Sequence, residues 1–347
     1  MKKFAVVILV FLLLFPIPVK AMEIEAPSVP YSAEEYMPDH TESFAEGVWY
    51  ILKTAVKDIL PELYETSRLC LSVFAVILLT SLVDSFSGVS GKVVHLAAAV
   101  LIGLILMNPA NVLIQLGTDT IQQMSEYGKL LIPVLTGALA AQGGVTSSTA
   151  LYAITAFFGS LFTTLITKIT IPMLYIYFCL CLVNGAIGDQ LIKNLQDFMK
   201  WLITWSLKIL LYTFTGFIGI TGVVSGTADA SAVKAVKMTI SGMVPVVGGI
   251  ISDASETILI SAGVMKSAAG VYGILAIIAI FIGPFLKIGA QYLILKLTAA
   301  LCSVFSAKRE SALLKDFSGG MGMLLGMTGS ICLFLLISAV CFLKGVS

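Results

Sequence analysis

Residues 240–288 read ISGMVPVVGGIISDASETILISAGVMKSAAGVYGILAIIAIFIGPFLKI, and this stretch decides the class of fold. It is apolar enough for a membrane core, yet Pro245, Gly248, Gly249, Gly283 and Pro284 interrupt it. Asp253, Glu256 and Lys266 also lie within it. A plain anchor needs none of these features, only about 20 apolar residues in a row. Broken backbone at membrane depth is tolerated where protein or a water-filled cavity covers it. The stretch therefore points to a core element of a polytopic membrane protein.

The rest of the chain agrees. Of 347 residues, 58% are hydrophobic and 12% charged, against roughly 25% charged in soluble domains. A net charge of +1 argues against nucleic acid, which needs a clustered basic face. Cys70, Cys179, Cys181, Cys302, Cys332 and Cys341 all lie in apolar runs, and Cys179-Leu180-Cys181 lacks the spacer of a zinc or redox motif. They read as small lipid- or core-facing residues. With His40 and His95 as the two histidines, and no HExxH, GxSxG or phosphate-binding Gly-Lys-Ser/Thr loop, neither catalysis nor a cofactor is expected.

The chain opens with Met1-Lys2-Lys3, the uncharged run Phe4–Phe15, and then Pro16-Ile17-Pro18-Val19-Lys20-Ala21. A charged start, a short apolar core and small residues at Val19 and Ala21 are the marks of a cleaved signal peptide, residues 1–21. Residues 22–66 hold ten of the twenty acidic residues against Lys53 and Lys57 and read as an extracytoplasmic segment. Within it Phe44, Val48, Ile51, Ala55 and Ile59 fall on one helical stripe, and Thr41, Ser43 and Glu46 offer a capping box. That stripe could lie on the membrane, dock on a partner, or pack on the chain's own membrane domain, residues 67–347.

The expected fold is all-α: a polytopic helical membrane protein of about eight spans with two candidate re-entrant segments. Leu69–Phe86 and Val93–Met107 read as a hairpin, with Asn108–Lys129 at the interface. The charge-free run Leu130–Thr167 reads as a short arm, Leu130–Ala141, and a full span, Thr149–Thr167. Pro172–Ile192 and Leu202–Val224 follow. The segment quoted above repeats the pattern of short arm and helix, Gly289–Ser306 comes next, and Gly319–Phe342 is the last span.

Pro133 and Pro245 lie 112 residues apart, as do Pro172 and Pro284; Gly137 and Gly249 fall in the same step. This offset suggests repeat copies at about residues 130–192 and 242–304. If each short arm leaves by the face it enters, three spans separate the copies and the repeat is inverted. The loops at Lys92, Lys168, Lys234/Lys237 and Lys308/Arg309/Lys315 then fall in the cytoplasm, as the positive-inside rule asks. Paired Gly/Pro-broken segments in inverted halves are a pointer to a transport path.

Asp253 and Glu256, three apart, share a helix face. One reading makes them an ion or proton site, because ionisable groups at membrane depth are expensive. The other makes Ser252/Asp253 and Glu256 a capping box at the membrane surface. Lys296, between Leu295 and Leu297, is the hardest charge to explain by snorkelling, and with Gln291 it forms a candidate polar lining. Gly322 and Gly326 form a small-xxx-small pair suited to close helix packing.

The sequence resembles the stage III sporulation protein AE family. The resemblance rests on the signal peptide, the acidic segment and the order of spans. Above all it rests on Ser241-Gly242-Met243-Val244-Pro245-Val246-Val247-Gly248-Gly249, on Ser252-Asp253-Ala254-Ser255-Glu256-Thr257, and on Gly270-Val271-Tyr272-Gly273. It implies a multi-pass protein of the mother-cell membrane around the forespore. It further implies a non-enzymatic subunit of a channel or secretion-like complex needed for forespore development and late gene expression. The implied partners are the other stage III sporulation A-operon membrane proteins and, through them, the forespore stage II sporulation protein Q. The alternatives are an autonomous secondary transporter, with Asp253, Glu256 or Lys296 in its path, and a purely structural scaffold.

Overall fold

The computed structural model describes residues 27–38, 43–86, 91–141, 145–220, 268–304 and 307–344. Regular structure among them is helical throughout. A short α1 (Tyr31–Glu34) precedes α2 (Phe44–Phe86), α3 (Gly91–Ala141) and α4 (Val145–Leu165). A π-helical turn (Ile166–Thr170) joins α4 to α5 (Ile171–Ile187), followed by α6 (Gln190–Ile220), α7 (Ala268–Val304) and α8 (Lys308–Lys344). Counting α4–α5 as one, six helical stretches among the described residues are long and apolar enough to cross a membrane.

α2 begins where the sequence expects it to. The Glu46 backbone N–H donates to Ser43 Oγ at 3.3 Å, which satisfies one of the free donors at a helix start. Phe44, Ile51, Ala55 and Ile59 are buried, and α2 lies along α7 and α3. The acidic segment's stripe thus packs on the chain's own core. The helix also runs unbroken through Thr66, so the shift in composition there is not a break in the backbone.

Continuity is the main departure from the sequence reading. α3 has 51 residues, roughly 76 Å at 1.5 Å per residue, so the segment Asn108–Lys129 and the arm Leu130–Ala141 are parts of one helix. Likewise Thr149–Thr167 and Pro172–Ile187 are one rod, with Lys168 inside it rather than in a loop. The reason lies in how proline is accommodated. Pro172 cannot donate to the preceding turn and its ring crowds the carbonyl four residues back. The wider π turn opens at that place and absorbs both effects. Pro61, Pro109, Pro133 and Pro284 also sit inside helices.

α8 is the hub. Of its most apolar window, 78% is buried, against 22% for α2, and α3, α4–α5, α6 and α7 all pack on it. Glycines set the spacing. A side chain begun at Gly117 or Gly128 of α3 would come within 2.8 Å of Leu324 and 2.7 Å of Leu335, respectively. Gly320 of α8 lies directly against the ring of Phe178, which Tyr177 and Phe317 hold in place. Gly320→Val should therefore destabilise the fold by about 1–3 kcal/mol through overpacking. Gly326→Ala, with open space around it, should leave stability nearly unchanged. Thermal unfolding of the detergent-solubilised variants, followed by size-exclusion fluorescence, compares the two.

Tyr36, just after α1, sits against Gly283 of α7. Burial first, then a hydrogen bond to Asp58 and the charges of Asp58 and Glu35, push its phenol from 10.0 up to about 12. The fold holds the neutral form, so this contribution to the docking of α1 is complete below pH 10.0 and is lost as pH rises through about 12. The absorbance difference at the tyrosinate band between wild type and Tyr36→Phe should show this group titrating near 12; a midpoint at 10.0 would mean that α1 is not docked.

Candidate functional site

Two polar constellations stand out among the described residues. The first joins α5, α6 and α8. Gly188 ends α5 in the left-handed conformation, φ 72°, which a residue with a Cβ rarely adopts. Its N–H donates to the Asn184 carbonyl at 2.7 Å. The Arg309 guanidinium of α8 lies 3.1 Å from where a side chain at Gly188 would begin.

One turn into α6, Lys193 Nζ donates to both carboxylate oxygens of Asp316, at 3.0 and 3.1 Å. It also lies 3.4 Å from Asp197. Deeper in, Tyr177 Oη donates to the Asp316 carbonyl at 2.9 Å and accepts weakly from Gln196 Nε2 at 3.4 Å. Gln196 is fully buried, and its Oε1 makes no hydrogen bond among the described residues. Beside this cluster, His95 Nδ1 of α3 is 2.8 Å from Glu310 Oε1 of α8, a carboxylate only 6% exposed. These contacts tie the start of α8 to α3, α5 and α6. Among the described residues no group of His, Cys, Asp and Glu is placed to hold a metal.

The second constellation is a belt at mid-height. Lys168 is the sole charge in residues 145–187, Lys208 in 201–220 and Lys287 in 268–295. Thr163 Oγ1 donating to Ser125 Oγ, and Tyr175 Oη donating to Asn111 Oδ1, set Lys168 level with Asp119 of α3. The Phe158–Phe214 contact and the Gln196–Tyr177 bond bring Lys208 to within a turn of that height. Lys287 is 3.5 Å from Glu62 of α2. Ser32 donates to Gln123 Oε1, and the neighbouring Tyr36 meets Gly283, so α7 joins at the same level. Every helix around α8 carries a charge at this height, while residues 317–343 of α8 carry none.

The residues singled out from sequence are dispersed. Gln291 is 3% exposed. Lys296 stands on the outer face of α7, its amine donating to Tyr292 Oη at 3.1 Å, and 5.2 Å from that ring's centre. The two are on one helix but not side by side. Pro133, Gly137 and Pro172 are exposed, and Pro284 is partly buried. Asp253, Glu256, Pro245 and Gly249 lie outside the described residues, as does the signal peptide. Sequence reading missed the His95–Glu310 and Lys193–Asp316 pairs, whose members lie 215 and 123 residues apart.

A family model described as Stage III sporulation protein AE matches residues 32–345, which takes in every helix from α2 to α8. A curated protein of that description from Bacillus subtilis (strain 168) is 25% identical over 210 residues, 60% of this chain and 53% of that protein. The match thus spans about half the length of that relative. No solved structure matches. The family is named for sporulation rather than for an enzymatic activity. On a match that spans nearly the whole chain, this protein belongs to the stage III sporulation protein AE family.

Proposed function

We propose that this chain is a non-enzymatic membrane subunit of a sporulation channel or secretion-like complex linking mother cell and forespore. In this reading it supports forespore development and late gene expression. It sits in the mother-cell membrane around the forespore, with its N-terminus extracytoplasmic after signal cleavage. Its partners are the other stage III sporulation A-operon membrane proteins and, through them, the stage II sporulation protein Q. The observation that carries this reading is the family match over residues 32–345. The tied polar cluster supports it: Lys193, Asp316, His95 and Glu310 are each engaged by a partner, an arrangement that fixes helices in place.

The alternative reading, an autonomous secondary transporter, draws on the buried Gln291 in α7 and on the carboxylates Asp253 and Glu256. It is tested by replacing the carboxylates together. Asp253→Asn with Glu256→Gln should keep sporulation near wild type, since Asn and Gln can serve the capping box read from the sequence as Asp and Glu do. Loss of sporulation at a normal protein level would favour an ion path instead.

The subunit reading is tested by partner recovery. Affinity purification of the intact chain from sporulating cells should bring down A-operon membrane proteins. Deleting residues 25–39 should reduce that recovery strongly while the chain stays in the membrane. Purification of the intact chain with no partner above background would sink the proposal.

A further inference from the structure

The start of α6 and the start of α8 run side by side in the same direction. Gly188 meets Arg309, Lys193 meets Asp316 and Lys200 meets Gly319, the Lys200 amine lying 3.8 Å from where a side chain at Gly319 would begin. The seam between the two helices gathers Lys193, Lys200, Lys308, Arg309 and Lys315. Lys308 and Lys315 share one face of α8, two turns or about 10 Å apart. Between them stands the small, exposed Ala312.

The carboxylates of α6 and of the start of α8 are already engaged. Lys193 donates to both oxygens of Asp316 and lies 3.4 Å from Asp197. Glu310 is paired with His95, and Asp189 accepts from the Leu191 N–H at 2.8 Å, at the start of α6. Lys200, Lys308, Arg309 and Lys315 are exposed, and among the described residues none of them is in an ion pair. Cations gathered on one seam repel one another, and a bound anion relieves that repulsion.

The surroundings of the seam indicate which anion. α6 turns Leu191, Leu195, Phe198, Trp201 and Trp205 outward, each at least 46% exposed. The first turns of this helix are thus apolar on the outside and charged toward α8, the pattern of a helix at a bilayer interface. Trp201, the residue after Lys200, stacks between Phe198 and Trp205, at 6.0 and 5.5 Å. Outward aromatic residues of this kind mark the boundary of a bilayer. α8 carries no charge from Phe317, two residues beyond Lys315, to Leu343. The cations therefore stand where an apolar stretch begins, as lipid phosphates do.

We propose that the α6–α8 seam binds the phosphate headgroup of an anionic phospholipid, held among Lys200, Lys308, Arg309 and Lys315. Lysine and arginine make strong, charge-assisted hydrogen bonds to phosphate oxygens. The lipid's charge offsets the cations that the protein leaves unpaired, and its acyl chains join the hydrocarbon that α6 faces. A free phosphate supplies the charge but leaves the outer face of α6 in water. A basic pocket between helices beside a bilayer is the setting in which anionic headgroups bind. The inference stands on this geometry and does not depend on the sporulation reading.

The test uses the full chain with the exposed Cys179 changed to Ser, in liposomes of phosphatidylcholine and phosphatidylglycerol. A fluorophore is attached at Ala312→Cys in the seam or at Leu195→Cys on the apolar face of α6, and either lipid carries a nitroxide quencher on an upper acyl carbon. Each cation near an anionic surface is worth roughly fivefold in affinity, so the seam should prefer the phosphatidylglycerol quencher by about tenfold or more. On the apolar face the two lipids should quench alike. The combined variant Lys200→Gln, Lys308→Gln, Arg309→Gln and Lys315→Gln should lose the preference at the seam. Lys308→Gln with Lys315→Gln, which should weaken it several-fold, replaces that variant if it fails to fold. Inorganic phosphate, compared with chloride at equal ionic strength, should leave the preference unchanged. Equal quenching by both lipids at the seam, or a preference that survives the substitutions, overturns the proposal. Displacement by inorganic phosphate overturns it in favour of a free anion, and shielding from both lipids does so in favour of water or an acidic protein segment. All of these outcomes leave the sporulation reading, tested by partner recovery, intact.

Discussion

The structure depends on α8 being free of charge from Phe317 to Phe342 and being met at close range on every side. In a membrane environment, apolar burial gives no drive for helices to associate, so packing and helix-to-helix hydrogen bonds must do it. Here the packing is made of side chains seated against glycines. Leu324 and Leu335 of α8 meet Gly117 and Gly128 of α3, Phe334 meets Gly159 of α4, and Leu313 meets Gly185 of α5. In each case the missing Cβ admits the neighbouring side chain, and the helix axes come closer than leucine against leucine would allow. The hydroxyls along α8 are turned inward on its own backbone: Thr328 bonds to the Leu324 and Leu325 carbonyls, and Ser338 to Phe334. A polar side chain satisfied within its own helix leaves the surface available for packing.

That hub explains where the charged pairs lie. α8 starts with Lys308, Arg309 and Glu310, and its last charges before the uncharged stretch are Lys315 and Asp316. The pairs His95–Glu310 and Lys193–Asp316 both engage this first part of the helix. They fix its azimuth against α3 and α6, while the glycine contacts further along fix its distance. Ser311 donating to the Ala299 carbonyl and Ser318 to the Tyr292 carbonyl then hold α8 in register with α7.

Much of this was legible in the sequence, but unevenly. Helical class, membrane character and the Ser43 cap follow from composition, periodicity and a side chain three residues from its target. The burial of Phe44, Ile51, Ala55 and Ile59 follows from the same periodicity. The docking partner, α7, does not, because a stripe reports that it is covered and not by what. Where helices end was harder. Asn108–Lys129 looked like a separate interface segment, and Lys168 like part of a loop, because hydropathy reports the surroundings of a residue, not the continuity of its backbone. In this fold the polar surroundings lie at mid-helix. Lys296 had a partner within reach of sequence reasoning: Tyr292 is four residues earlier, one helical turn away. Glu310 with His95 was beyond it, since nothing local marks two groups separated by most of the chain.

The belt also changes what the internal repeat has to explain. Pro172 and Pro284 share the 112-residue offset, and both lie in continuous helices near mid-height, Pro172 four residues from Lys168 and Pro284 three from Lys287. A proline and a lysine within one turn occur at corresponding places, although the lysine precedes the proline in the first case and follows it in the second. The wide turn at Ile166–Thr170 has no counterpart in α7, which stays α-helical through Pro284. Lys168 is thereby turned outward, whereas Lys287 is held at the contact with Glu62 of α2. The correspondence is therefore one of height rather than of contact. Both positions place a helix-weakening proline beside the belt, where neighbouring helices and polar side chains can satisfy the carbonyl that the proline leaves free.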